Sequence, residues 1–186
     1  MVMFFQGLPR FGISLLVGGA MAVASGWGAP LAQATNPADL QTLRETGSCL
    51  DCDLRHADLR YLDLRGAVLR GANLEGANFF RANLTRADLS RANLRRTNFA
   101  MATMEDMVAN LADMSHSNLL EANLNRASLI GTILTHAYLE DTRLTEALLT
   151  EADMRQTKII SANFQGANLC GAHFVYGDYR LDCPAP

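Results

Sequence analysis

The chain has 186 residues, with 16 basic and 19 acidic side chains and a formal net charge of −3 at neutral pH. This length fits one domain of ordinary size. The charge is too mild to indicate a nucleic-acid partner, which usually selects for a strongly basic surface.

Residues 1–34 have the features of a secretory signal peptide. One basic residue, Arg10, precedes an apolar segment over residues 11–24, and Ala32-Gln33-Ala34 supplies a small-x-small cleavage pattern. We therefore expect cleavage before Thr35 and export of the remaining chain. The alternative is a retained membrane anchor, which the glycines and proline between residues 26 and 30 disfavour because they interrupt the apolar stretch.

Residues 35–51 are predicted to form an N-terminal cap that contains a helix over about residues 37–46. Asn36 suits the N-cap position, Pro37 the first turn and Gly47 the C-terminal end. Leu40 and Leu43 lie three residues apart and would both face the next element.

A five-residue repeat dominates the chain from residue 52 onward. Stepping by five from Leu54 gives 26 positions up to Tyr179, and 25 of them are Leu, Phe, Met, Ile or Tyr, with Ala109 as the exception. Two places earlier, 24 of 26 residues are small, and one place earlier 16 of 26 are Asp or Asn. A helix would spread such leucines over all its faces, and a flat strand would alternate them between two sides. The pattern instead predicts short extended sides joined by turns, with the small and the large residue of each repeat both pointing inward. Asp or Asn would suit the corners between these sides. We also expect four phenylalanines at the large inward position to be buried: Phe79, Phe99, Phe164 and Phe174.

These residues resemble the pentapeptide repeat family, whose A(D/N)LXX motif returns in tandem over residues 52–179. The resemblance implies an all-β fold, a right-handed quadrilateral β-helix over residues 52–180, followed by a tail at 181–186. With four sides per coil, the repeats make about six and a half coils. The chain is also similar to exported members from the cyanobacterial periplasm and the thylakoid lumen, so we expect one of these locations.

One repeat, Met107-Val108-Ala109, exchanges the large and small inward positions. Because the exchange nearly conserves core volume, we expect the register to continue with a local distortion over residues 105–111. The competing interpretation shifts the register to Leu111 through steps of seven and three residues.

The four cysteines lie in two pairs at opposite ends of the expected solenoid. Cys52 and Cys170 are separated by nearly six coils, about 28 Å, which is too far for a disulfide. The coil geometry therefore favours Cys49–Cys52 and Cys170–Cys183. The first pair could alternatively be a redox pair or half of a metal site.

The residues do not predict catalysis or a cofactor. All four histidines fall on one side of the rod, and His116 and His136 occupy the same place in adjacent coils, which makes them weak candidates for a metal site. Their neighbours supply only one nearby carboxylate, Asp113. A core filled by leucine and alanine leaves no cleft of the kind that enzymes need, so we expect no enzyme activity.

One side of the rod presents an outward apolar residue in every coil. These six residues are the candidate protein interface: Tyr61, Phe80, Met101, Leu120, Tyr138 and Ile160. A weaker second patch comprises Val108, Leu111, Ile130 and Leu148. A continuous apolar strip on a rod in water indicates binding to a protein or to a second copy.

We therefore expect an exported, non-enzymatic binding or scaffold module whose partner is an unidentified protein or the chain itself, without nucleic acid or a membrane span in the mature chain. The resemblance also suggests a DNA-mimicking inhibitor of topoisomerase. The signal peptide and the nine arginines within residues 51–100 disfavour that alternative.

Overall fold

The computed structural model describes residues 36–174, residues 177–179 and Cys183. The predicted signal peptide and most of residues 181–186 lie outside these residues.

Helix α1 spans Pro37–Thr46 and lies against the first turns of the solenoid. The Asn36 side chain accepts a hydrogen bond from the Ala38 N–H, and Gly47 ends the helix with a φ of 68°. Leu43 is buried, Leu40 packs against the core, and the Asp39 carboxylate accepts the Asp53 N–H at 2.8 Å. These contacts tie the helix to the first coil.

Beyond α1 the chain winds into a β-helix whose successive coils pair in parallel every twenty residues. The bridges begin at Ser48 with Val68 and continue in this register to Asp153 with His173. The coil thus starts four residues before the predicted boundary at residue 52, because Cys49 occupies a central inward position and is buried. Within the ladder, strand β1 (Tyr138–Glu140) pairs with strand β2 (Lys158–Ile160).

The β-helix ends earlier than the repeat pattern predicts. Strand β3 (Ala172–Phe174) pairs antiparallel with strand β4 (Gly177–Tyr179), so the chain folds back instead of starting another parallel layer. The disulfide between Cys170 and Cys183 explains the reversal, because continued coiling would place residue 183 on a different side from Cys170. The second disulfide joins Cys49 and Cys52, so both bridges are the predicted ones.

The interior consists of the large and small inward residues. From Leu54 to Met154 the central residues are all buried, and Phe79 stacks on Phe99 with ring centroids 5.1 Å apart. Phe164 and Phe174 are only partly buried, contrary to the prediction, because no further parallel coil covers them. Ile159, also a central residue, is 38% exposed for the same reason.

The corners lie at the two residues that follow each central residue, and not at Asp or Asn. The Ala57 N–H bonds the Leu54 carbonyl at 3.1 Å, and the second corner residue has a positive φ of 51° to 70° in every repeat from Asp51 to Gly171. This is the geometry of a type II turn. The preceding Asp or Asn supports the corner, as where Asn78 Oδ1 accepts the Phe80 N–H at 3.0 Å.

The exchanged repeat keeps the unslipped register. Met107 and Ala109 are both fully buried, and Val108 bridges Asp88 below and Ser128 above. The corners at Asp106 and Leu111 have φ values of 55° and 59°, like their neighbours. The expected local distortion is therefore absent from these corners and bridges, since the paired volume change is absorbed inside the core.

Candidate functional site

The candidate interface lies on the side of the β-helix centred on Leu59, Phe79, Phe99, Leu119, Leu139 and Ile159, which we call side B. Its outward residues form three rows that run along the rod, one residue per coil. Row 1 precedes the central residues and reads Asp58, Asn78, Asn98, Asn118, Tyr138, Lys158. Row 2 follows them and reads Arg60, Phe80, Ala100, Leu120, Glu140, Ile160. Row 3 holds the second corner residues Tyr61, Arg81, Met101, Glu121, Asp141, Ser161.

The structure brings four of the six predicted interface residues together. Tyr61 and Phe80 make an edge-to-face contact with ring centroids 5.6 Å apart, and the Met101 N–H bonds the Leu120 carbonyl. Ala100, which the sequence reasoning missed because alanine is small and common in the repeat, joins Phe80 to Leu120 within row 2. We call Tyr61, Phe80, Ala100, Met101 and Leu120 the apolar block.

The other two predicted residues stand apart from this block. Glu140 separates Leu120 from Ile160 in row 2, while Tyr138 lies in row 1 beneath the Lys158 ammonium, 4.8 Å from its ring centroid. The predicted strip therefore consists of the apolar block, which ends at Leu120, and of Ile160, which Glu140 separates from it. Tyr61 is the most exposed member at 63%, whereas Phe80, Met101 and Leu120 are half-buried.

A ladder of asparagine side chains borders the apolar block. Asn98 Nδ2 donates to Asn78 Oδ1 at 3.1 Å, and Asn118 Nδ2 donates to Asn98 Oδ1 at 3.3 Å. These bonds, each donated to the asparagine of the preceding coil, hold the amides in one orientation, so this edge of side B is a fixed row of polar groups.

Charged groups lie within and beside the apolar block, because Arg81 stands between Tyr61 and Met101 in row 3. The Arg81 guanidinium lies 5.3 Å from the Phe80 ring centroid, and its Nε is 3.4 Å from Met101 Sδ. Glu121 lies beside Leu120 in the same coil, and Glu140 follows Leu120 in the next coil of row 2. Side B thus carries an outward arginine in each of the coils of Tyr61 and Phe80, and an outward glutamate in each of the coils of Leu120 and Tyr138.

The second predicted patch lies on the side centred on Leu69 and Leu89, which we call side D. Leu111, Leu148 and Ile130 are 59%, 41% and 37% exposed, so this patch is more open than the middle of side B. The Leu111 side chain lies over Gly131, where a Cβ atom would come within 2.8 Å of its Cδ2. A larger residue at position 131 would therefore have to displace the Leu111 side chain.

The arginines of the first coil are mostly paired with aspartates of their own repeats. Arg55, Arg60 and Arg65 each bind the aspartate two residues before, for example Arg60 Nη2 with Asp58 Oδ2 at 2.6 Å. Hydrogen bonds from these guanidinium groups lower the pKa values of the three aspartates. Arg70, which follows valine in its repeat, instead reaches Asp88 at 3.7 Å. A ring at the corners of the next coil comprises Arg81, Arg86, Arg91 and Arg96.

The two histidines lie together but lack further ligands. The His116 and His136 rings stack in parallel with centroids 4.7 Å apart. The nearby Asp113 carboxylate is engaged by Arg95 at 3.3 Å. In the described part of the chain, no group of three or more His, Cys, Asp or Glu side chains could hold a metal ion. The pair therefore does not make a metal site by itself.

No helix within the described residues has the length and apolar character needed to cross a membrane. No curated protein matches the chain at a significant level.

Solved structures with similar folds are pentapeptide repeat proteins. HetL, a protein involved in heterocyst differentiation regulation from the cyanobacterium Nostoc sp. strain PCC 7120, is 27% identical over 70% of this chain and 62% of its own, with a TM-score of 0.53. QnrB1, a plasmid-mediated fluoroquinolone resistance protein, is 22% identical over 67% of this chain and 61% of its own, with a TM-score of 0.57. The chain thus spans about three fifths of each of these structures.

The likeness to these two structures implies a right-handed quadrilateral β-helix. A pentapeptide repeat protein from the Arabidopsis thaliana thylakoid lumen is 27% identical over 63% of this chain and 74% of its own, with a TM-score of 0.21. The family model described as "Pentapeptide repeats (8 copies)" matches residues 48–86, 72–106, 110–145 and 137–174, which is more than half of the sequence. The chain therefore belongs to the pentapeptide repeat family.

Proposed function

We propose that this protein is a non-enzymatic protein-binding module that acts outside the cytosol through side B. The observation that carries the proposal is the apolar block, in which Tyr61 contacts Phe80 edge to face and Ala100, Met101 and Leu120 follow at neighbouring positions of the next two coils. Contiguous apolar residues bordered by polar groups are typical of protein interfaces, whose apolar centre is surrounded by a polar rim.

The surroundings of the block support a binding role. The asparagine ladder offers fixed donors and acceptors on one edge, and the arginines and glutamates within and beside the block supply charges of both signs. These features supply specificity, because a partner must match both the apolar block and the polar groups around it. The β-helix of about six and a half coils, closed by α1 at one end, would serve as the rigid support.

Two alternatives receive less support from the surface. A DNA-mimicking inhibitor would need continuous acidity, whereas arginine occupies all four corners of the coil at residues 81–96. Metal binding at His116 and His136 would need ligands that their surroundings do not supply.

Export is part of the proposal. The apolar segment and cleavage pattern of residues 1–34 lie outside the described residues, and the two disulfides support an oxidising location such as the periplasm or thylakoid lumen. A fusion of a periplasmic reporter enzyme to the full chain should be active only with residues 1–34 present. Retention of the fusion in the cytosol would contradict export.

The binding role is tested with a triple variant of row 2, Phe80→Asp, Leu120→Asp and Ile160→Asp. The adjacent side offers a matched control, because Thr85, Asn125 and Gln165 occupy the equivalent positions one repeat later. The control variant is therefore Thr85→Asp, Asn125→Asp, Gln165→Asp. When immobilised, the wild-type protein and this control should bind the same proteins from native extract, and both should bind added copies of the wild-type chain. The triple variant should lose them while keeping its circular dichroism spectrum. An unchanged set of partners would show that side B is not the binding surface.

A further inference from the structure

We propose that side B binds a second copy of this chain in an antiparallel dimer with a two-fold axis through Ala100. This inference rests on the proposed function, since it names the partner of the same surface. The order of residues along the three rows supports this arrangement.

A two-fold axis that lies in the interface and crosses both rods at right angles has a simple consequence. It places each row against the same row of the second copy, in reverse order. A symmetric interface of this kind must be complementary to itself. Each row of side B should therefore read as a sequence of matched pairs around its middle residue.

Row 2 meets this condition. Around Ala100, Phe80 of one copy faces Leu120 of the other, and Arg60 faces Glu140. Ala100 faces itself and is only 6% exposed, so the two backbones can approach at the centre. The row thus pairs apolar with apolar residues and a cation with an anion.

Row 3 meets the same condition around Met101. Arg81 faces Glu121, and the Tyr61 hydroxyl faces the Asp141 carboxylate. In row 1 the fixed amides of Asn78 and Asn118 face each other around Asn98. All three rows share one axis, and that axis also passes through the apolar block.

A parallel arrangement lacks this match. An axis along the rods brings the same coils of both copies together, so the basic coils at Arg60 and Arg81 would meet each other, and so would the acidic coils at Glu121 and Glu140. Like charges placed together across an interface oppose association. The charge order therefore selects the antiparallel arrangement.

The charges that make the match are available. Among the residues that the structure describes, Arg81, Glu121 and Glu140 take part in no ion pair, whereas Arg60 already binds Asp58. Arg81 and Glu121 are both exposed at corners, with φ values of 55° and 54°. The Arg81–Glu121 pair, formed twice in a symmetric dimer, is consequently the main electrostatic contact.

The size of the surface predicts a weak dimer. Six coils at about 4.8 Å per spacing give side B a length of about 24 Å. One narrow side of this length places the interface at or below the low end of specific complexes, about 1,200 Å². Self-association is therefore best measured by sedimentation over a range reaching hundreds of micromolar.

Charge reversal tests the proposal on the mature chain with its disulfides intact. Arg81→Glu alone and Glu121→Arg alone should each weaken dimerisation about tenfold or more, since each places two like-charge pairs in the dimer. The double variant Arg81→Glu, Glu121→Arg should regain wild-type dimerisation, and a mixture of the two single variants should form a heterodimer. A double variant no better than the single variants would overturn the antiparallel pairing.

Cross-linking locates the axis. All four cysteines are in disulfides, so Met101→Cys supplies one accessible thiol, and row 3 places it beside its own copy. A short bismaleimide should join Met101→Cys chains rapidly. It should not join Arg86→Cys chains, whose thiol sits at the equivalent corner of the next side, where Arg86 has a similar φ of 60°. Equal cross-linking of both variants would contradict the proposed axis.

The dimer and the binding role fail in different ways. If the wild-type chain remains monomeric at every concentration while the Phe80, Leu120, Ile160 triple variant still loses a foreign protein, the dimer is wrong and the proposed function stands. If the wild-type chain dimerises and Leu111→Asp on side D abolishes dimerisation where Arg81→Glu does not, the dimer uses side D and this proposal is wrong.

Discussion

Asn98 bonds the asparagines of the coils on both sides, donating to Asn78 Oδ1 at 3.1 Å and accepting from Asn118 Nδ2 at 3.3 Å. Its Oδ1 also accepts the Ala100 N–H at 3.1 Å. One side chain therefore joins three coils and supports a corner of side B.

Asn98→Ala should lower the free energy of unfolding by about 1–2 kcal/mol more than Asn163→Ala, because two inter-coil bonds are lost at net values near 1 kcal/mol each. Asn163 is the matched control, since its Oδ1 supports a corner through the Gln165 N–H at 2.9 Å and its side chain is exposed. Urea denaturation measures both variants. Equal losses of unfolding free energy in the two variants would mean that the inter-coil asparagine bonds add no stability beyond that of the corner hydrogen bond.

Substitution by aspartate should reduce stability far more at Leu84, the central residue of its repeat, than at the adjacent corner residue Thr85. Leu84 is fully buried, so Leu84→Asp should cost several kcal/mol and unfold at least the local coils. Thr85→Asp should cost about 1 kcal/mol or less, mainly through loss of the Thr85 hydroxyl bond to Asn83 Oδ1. Thermal unfolding followed by circular dichroism checks the pair. A folded Leu84→Asp protein with a wild-type melting temperature would contradict the assigned interior.

Much of this fold follows from the sequence because the period is strict. Leu54, Leu84 and Leu94 occupy inward positions that the five-residue step alone assigns, and the structure buries all three. The β-helix starts earlier than residue 52 because Cys49, five residues before Leu54, already occupies an inward position, although cysteine is not one of the large residues typical of that position. The end was misplaced because Tyr179 keeps the repeat pattern while the bridge from Cys183 turns the chain back.

The candidate site was harder to predict for a different reason. The repeat assigns which residues face outward, and so it indicated Tyr61, Phe80 and Leu120. It does not show that these outward residues belong to three different rows, and therefore it did not show that Glu140 separates Leu120 from Ile160 in row 2. The role of Ala100 was also hidden, because alanine is the residue that the repeat normally places inside.

Acid should weaken the protein through its arginine-paired aspartates. Two hydrogen bonds from the Arg155 guanidinium, at 2.9 and 2.6 Å, hold the pKa of Asp153 below its usual value of 3.8, with burial opposing and the Arg155 N–H assisting. A carboxylate with a lowered folded-state pKa stabilises the protein fully above about pH 4. That contribution is lost as the pH falls through the folded-state value.

Arg155→Ala should consequently flatten the fall in melting temperature below pH 4 and cost on the order of 0.5 kcal/mol at pH 7, because the guanidinium is largely exposed. Arg91→Ala, an exposed corner arginine on side D, is the control and should keep the wild-type pH profile. Melting curves between pH 2.5 and pH 7 give the comparison. The same flattening in both variants would mean that net charge, and not the Asp153 pair, sets the acid response.

Helix α1 should contribute to stability through one buried leucine. Leu43 is 1% exposed against the first coil, whereas Leu50 is 58% exposed four residues beyond the helix. Leu43→Ala should lower the free energy of unfolding by about 2–5 kcal/mol, as for other buried leucines. Alanine favours helix at least as well as leucine, so the loss would report packing and not helix propensity. Leu50→Ala should change stability by no more than about 0.5 kcal/mol. Denaturant unfolding of the two variants measures the difference, and a similar small effect at both positions would show that α1 does not cover the end of the core.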